Sequence, residues 1–202
     1  DFIYFVSNDS SKNKQQESKY LLKGMTMNMD IEFTPTAEVN LQTDLGSLKG
    51  NGTGEITLKV SSLGDFEMFG DYTVNSGKFH FTAQDFFNKF FDIKQGGTIR
   101  WTGSPSGATI NMTAIYQQRT SIAPLYNAAG RSGQDERVMA QADMNIKGTL
   151  SQPDVSFDLN FPQTPYVKDE LQAYLSDANN VNQQALSLIV RRSFTASSNN
   201  EL

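Results

Sequence analysis

FEMFGDYTVNSGKFHFTAQ, residues 66–84, is the stretch on which the fold turns. Side chains of an extended chain alternate between two faces. Phe66, Met68, Tyr72 and Val74 therefore share one face, and Glu67, Asp71 and Thr73 the other. Asn75-Ser76-Gly77 is turn chemistry, with residues that tolerate a left-handed backbone. Beyond it Phe79 and Phe81 return on one face, with Lys78, His80 and Thr82 opposite. The stretch predicts two strands joined at a turn, each apolar on one side only.

The same alternation extends in both directions. In GMTMNMDIEF, residues 24–33, Met25, Met27, Met29, Ile31 and Phe33 oppose Thr26, Asn28, Asp30 and Glu32. Pro35 ends that strand, and Val39 and Leu41 begin another. KGNGTGE, residues 49–55, reads as a glycine-rich turn, followed by Ile56, Leu58 and Val60 in alternation. Phe91 and Ile93 lead through Gly96-Gly97 to Ile99 and Trp101, a two-residue hairpin signal. Ile110, Met112, Ala114 and Tyr116 share a face, residues 117–138 read as a polar loop, and a last hairpin points Met144, Ile146, Leu150, Val155, Phe157, Leu159 and Phe161 inward. Residues 1–6 read as a strand and the polar run after them as a connection. The chain opens in mid-pattern, as a segment excised from something longer would.

The pattern changes at Thr164-Pro165, an N-cap and first-position pair for a helix. Val167, Leu171, Tyr174 and Leu175 recur at helical spacing. SDANN, residues 176–180, recaps the chain, and Val181, Ala185, Leu188 and Ile189 form a second stripe ending at Arg191 and Arg192. The expected organisation is a curled β-sheet over 1–163, a helical segment over 164–195, and a frayed tail over 196–202.

Composition excludes several classes. A net charge of −5 with scattered Lys and Arg does not make a nucleic-acid surface. No apolar run reaches the ~20 residues of a membrane-spanning helix. The absence of cysteine removes disulfides, thiolate metal sites and cysteine nucleophiles. His80, the sole histidine, lies on a polar face with no nucleophile or carboxylate set beside it in the pattern. Asp135 and Glu136 are neighbours among Arg131 and Arg137 in an unpatterned segment. GNGTG lacks the Gly-Lys-Ser/Thr ending and the following helix of a phosphate loop. The reading is of a protein with no catalytic set, metal or cofactor.

The apolar face then poses an energetic question. Burying one large apolar side chain stabilises by about 1.5–3 kcal/mol. Leaving ten of them wet would forfeit roughly 15–30 kcal/mol, more than the ~5–15 kcal/mol net stability of a domain. A second sheet, the terminal helices or a ligand must cover that face. Methionine and phenylalanine in this number make an adaptable surface, which suits a groove for flexible apolar ligands.

The ordered succession from GNGTGEITLKV through GDFEMFGDYTV and GGTIRWTG to ATINMTAIY, closed by GTLSQPDVSFDL and NNVNQQALSLIVRRSF, resembles the C-terminal domain of TamB-type proteins in their Bacteroidota form. The resemblance covers roughly residues 25–195. It implies a mainly β fold, a long antiparallel meander curled into an open, taco-like trough with an apolar interior and C-terminal helices. It implies part of an AsmA-like bridge, anchored in the inner membrane and crossing the periplasm, that carries phospholipid acyl chains to the outer membrane. It also implies a partner barrel of the TamA/BamA type and a role in outer-membrane protein assembly. The facing pattern puts Met25, Met27, Met29, Ile31, Phe33, Ile56, Leu58, Phe79, Phe81, Trp101, Met112, Phe157 and Leu159 on the groove wall. Two other readings compete: a module that docks a barrel by pairing through an edge strand, and a closed β-sandwich with a self-sealed core. An excised trough would also invite self-association through its exposed apolar surface.

Overall fold

The computed structural model describes residues 26–43, 46–82, 88–132 and 135–196. Residues 1–6 and Met25, assigned above to a strand and to the groove wall, lie outside the described residues. Nine strands form one antiparallel sheet: β1 Thr26–Phe33, β2 Glu38–Thr43, β3 Gly46–Ser61, β4 Phe66–Phe81, β5 Lys89–Ile93, β6 Thr98–Gly103, β7 Thr109–Ser121, β8 Arg137–Thr149 and β9 Pro153–Asn160. Among the described residues four α-helices, α1 Ala123–Ala128, α2 Tyr166–Glu170, α3 Gln172–Leu175 and α4 Ala178–Arg191, and one 3-10 turn, Pro105–Gly107, accompany it. Strands make up 56% of the described residues and helices 20%, and the strands form one large antiparallel sheet that is not a closed barrel.

The sheet is a meander in which two pairs of short strands act as broken long ones. β1 and β2 both pair with β3, at its two halves. β5 and β6 both lie between β4 and β7. Gly96-Gly97 therefore joins no hairpin, because β5 and β6 do not pair with each other. The segment stays in the ladder: the Val74 N–H donates to the Gly97 carbonyl at 2.8 Å, and the Gly96 N–H to the Val74 carbonyl at 2.9 Å. The ladder partners on both sides hold the chain straight on where a free hairpin would reverse.

Two more expected turns are strand interior. β4 runs unbroken through Asn75-Ser76-Gly77, and its register against β3 slips between Asn51 and Gly52, so that Asn75 is the extra residue of a bulge. The bulge switches which parity faces inward, which is why Val74 and Phe79 share a face despite their odd spacing. KGNGTGE likewise lies inside β3. Its glycines are needed for close approach: a Cβ at Gly52 would lie 2.3 Å from the Thr73 carbonyl oxygen and 2.6 Å from the Tyr72 ring. Tyr72 lies over this gap and meets Phe33 edge-on, with centroids 5.5 Å apart. By register, the Thr34–Ala37 turn, the Asn51/Gly52 slip, the Asn75 bulge and the Lys94–Gly97 break stand side by side on successive strands. They form one line of irregularities across the sheet, and a bulge of this kind bends its strand.

Residues 117–138 are not a loop throughout. Gln117–Ser121 complete β7, α1 follows, and β8 resumes at Arg137. Leu125 and Tyr126 of α1 are buried, so the segment helps to close the core. At the other helix start, α2 begins at Tyr166 and Thr164 does not cap it with its side chain. Thr164 accepts the Val167 N–H through its backbone carbonyl at 3.1 Å instead. Asp177 does cap α4, accepting the Asn179 N–H at 2.9 Å.

Candidate functional site

The register fixes one apolar face across the whole sheet. Met29 opposes Leu58, which opposes Met68, and Ile31 opposes Ile56. Ala114 opposes Met144, which opposes Phe157, and Ile146 opposes Val155. Near the line of irregularities the face is packed: Ile56, Tyr72, Val74, Ile93, Ile99, Met112 and Ala114 are buried in one cluster. Toward the strand ends that meet at the 62–65, 104–108 and 150–152 connections, it opens. There Met27 is 51% exposed, Met29 47%, Val60 38%, Phe66 41% and Val155 43%. Met68, Trp101, Ile110, Met144, Ile146 and Phe157 are half-buried between them.

These residues make a strip across successive strands from the β1 edge to the β9 edge, with no charged residue among them. Seven strand positions in the sheet order span six intervals, or about 29 Å at ~4.8 Å per strand. The Trp101 Nε1–H donates to the Pro105 carbonyl at 3.2 Å, so its ring joins the strip without leaving a polar atom unpaired.

The residues assigned to the groove by sequence divide three ways. Met27 and Met29 are exposed on the strip, and Ile31, Phe33, Phe79, Phe81, Trp101 and Phe157 are half-buried on the inner face. Ile56, Leu58, Met112 and Leu159 are buried against other side chains of the chain. Val60, Phe66, Met68, Ile110, Ile146 and Val155 were not named for the groove although their alternation carried the signal.

The outer face is polar and tied together. Asp71 accepts from Arg100 at 2.7 Å, Asp30 accepts from the Thr57 hydroxyl at 2.7 Å, and Gln117, Gln141, Asp143 and Asn160 form a side-chain ladder from β7 to β9. His80 is half-buried, stacked on Phe90 with centroids 4.1 Å apart and bonded to Asn88. Asp135 accepts from the Ser121 hydroxyl, and Glu136 from Tyr166. Among the described residues no cluster of three or more His, Asp or Glu is placed to hold a metal ion. No helix among them is long and apolar enough to cross a membrane.

Helices seal the face at the β8–β9 side. α4 packs on β9 and β8, setting Val181, Ala185, Leu188 and Ile189 in the same core as Ala140, Ala142 and Leu159. The small alanines let the helix approach the sheet closely. Beyond α4 the chain turns at Arg192, in a left-handed conformation, and folds back. Buried Gln184 clamps it, donating to the Thr195 carbonyl at 2.8 Å and accepting the Thr195 N–H at 3.0 Å. Phe194 meets Phe161 with centroids 6.1 Å apart. α1 and α2 are latched by the Tyr126 hydroxyl donating to Glu170 and by Arg131 donating to the Glu170 carbonyl. Burial and that carboxylate push the Tyr126 phenol far above its ordinary value.

No curated protein matches the sequence. One family model does, that of the TamB C-terminal domain, over residues 1–202. The open antiparallel sheet with a single apolar face and C-terminal helices agrees with that match. The chain belongs to the TamB C-terminal domain family, whose roles lie in outer-membrane assembly or lipid transport.

Proposed function

We propose that this chain is the terminal section of a periplasmic bridge and that its inner-face strip carries phospholipid acyl chains toward the outer membrane. The supporting observation is the strip itself: an apolar path that crosses every strand position, stays partly open to solvent, and holds no charge. Each methylene leaving water gains about 0.8 kcal/mol. A path without polar anchors makes that gain nearly independent of position, so a chain slides along it at little cost. The buried residues near the line of irregularities hold the trough in shape, and the accessible methionines and phenylalanines adapt to the cargo. The inner-membrane anchor belongs to this proposal through the family.

Native mass spectrometry of chain purified without harsh detergent tests the reading. Co-purified phospholipid that disappears in Met29→Asp and Val155→Asp, both at exposed positions, supports it. Lipid retained in both variants, or none bound by the parent, contradicts it.

A second reading rests on a separate observation. Among the described residues no strand pairs with the outer edge of β9. That free edge suits docking to an outer-membrane barrel of the TamA/BamA type by strand addition. Successive N–H groups of a strand point to opposite edges, so proline at Val155 or at Ser156 must remove an outward donor. Loss of barrel capture with lipid binding intact in one of them supports edge docking, and capture unaffected by either contradicts it.

A further inference from the structure

The chain has no cysteine, so no thiol intercepts an oxidant before its thioethers do. A thioether does not titrate, so access rather than ionisation decides which methionine reacts. The methionines among the described residues differ widely in access. Met112 is 6% exposed and sits in the core. Met68, Met139 and Met144 are half-buried. Met27 and Met29 are exposed, two residues apart on one face of β1. Met27 opposes Val60 and Met29 opposes Leu58, so their neighbours across the ladder are aliphatic. Among the described residues no strand pairs with the other edge of β1, which leaves that flank without a neighbouring row of side chains.

We propose that Met27 and Met29 are an oxidation site, at which a peroxide closes the β1 end of the strip to apolar cargo. A sulfur lone pair takes one oxygen of hydrogen peroxide. The S–O bond forms, the O–O bond breaks, and the other oxygen leaves as water with both protons. Sulfur is oxidised by two electrons and the peroxide is reduced by two. The product sulfoxide is a polar group where the thioether was apolar and only a weak acceptor. Val60 and Phe66 lie in register with Met27, and Leu58 and Met68 with Met29, and none of these side chains has a donor to meet it. The sulfoxide oxygen therefore holds water, which an acyl chain passing over it must strip away at a cost. The change is reversible, because sulfoxide reductases return the sulfoxide to the thioether. This rests on the acyl-chain reading and adds a chemical signal that stops the path.

The test treats the whole chain with limiting hydrogen peroxide and maps sulfoxide by peptide mass spectrometry. Short-chain phosphatidylcholine is then titrated into oxidised and unoxidised chain by calorimetry. Sulfoxide is expected at Met27 and Met29 well before Met112. Affinity for the lipid is expected to fall roughly tenfold, equivalent to about 1.4 kcal/mol, and to return after treatment with reductases for both sulfoxide epimers. The double variant Met27→Leu with Met29→Leu keeps the face apolar and should bind the lipid like the parent before and after peroxide. Sulfoxide spread evenly over all the methionines overturns the site. An affinity unchanged by oxidation, or lost equally in the double variant, overturns the closure. A thermal melt that falls together with the affinity would make the loss a folding defect and also overturn it. If the unoxidised chain binds no lipid, the acyl-chain reading itself has failed, while the peptide map still decides whether Met27 and Met29 are the oxidation site.

Discussion

Gly52 carries no side chain because the Tyr72 ring occupies the space where one would stand. The consequence is measurable. Gly52→Ala forces the ring or the Thr73 carbonyl aside, and overpacking of this kind costs about 1–3 kcal/mol, read as a lower urea midpoint. Gly64, at the exposed β3–β4 connection, has nothing within reach of an added Cβ, but its positive φ of 86° makes it a poor control, so the comparison belongs to an exposed outer-face position such as Ser76→Ala. Gln184 makes the second residue-scale claim. It is fully buried and holds both backbone groups of Thr195. Gln184→Leu removes both of these hydrogen bonds, each contributing about 0.5–1.5 kcal/mol. The variant should also release the 193–196 segment to proteases before the sheet unfolds. Equal protease resistance in variant and parent would show that the clamp does not hold the tail.

At the scale of elements, the alternating faces were legible in the sequence because a strand imposes a period of two wherever one side is buried. The bends were legible as disturbances but not as bends. Asn75-Ser76-Gly77, KGNGTGE and Gly96-Gly97 use the residues that turns use, since bulges and turns both need permissive backbones. Which of the two forms depends on ladder partners far away in sequence, such as Val74 for Gly96 and Gly97. α1 was hidden for a related reason: six residues are too few to show helical periodicity, and Leu125 and Tyr126 are buried by their neighbours. The latch between α1 and α2 gives an element-scale prediction with a defined sign. Tyr126 holds its proton more tightly when folded than its ordinary pKa of 10.0 allows. The unfolded chain therefore releases that proton first as the pH rises, so the contribution is complete below pH 10 and lost progressively above it. Tyr126→Phe should lower stability at neutral pH and flatten the alkaline limb of a stability-against-pH curve. An alkaline limb identical to the parent's would assign it to other groups, such as Tyr72, whose phenol burial also raises.

For the whole molecule, the central feature is the gradient in how well the apolar face is covered. The sequence showed which residues face inward. It could not show that Ile56 and Met112 are sealed while Met27, Met29 and Val155 stay open, because that follows from tertiary packing, including α4 docking on β8 and β9. An open strip of this size should also draw copies of the chain together at high concentration, and Met29→Asp should weaken that association in sedimentation experiments. A sedimentation coefficient that rises equally with concentration in parent and variant would place self-association elsewhere.

Trp101, the one tryptophan of the chain, stands on the strip and makes the central claim directly measurable. The chain is titrated with phospholipid whose acyl chains carry bromine at defined depths, and with the same lipid brominated only in its head. Quenching of Trp101 by the acyl-brominated lipid, absent with the head-brominated one and abolished in Met29→Asp, is the predicted result. A Trp101 emission unchanged by saturating acyl-brominated lipid would contradict the strip as an acyl path.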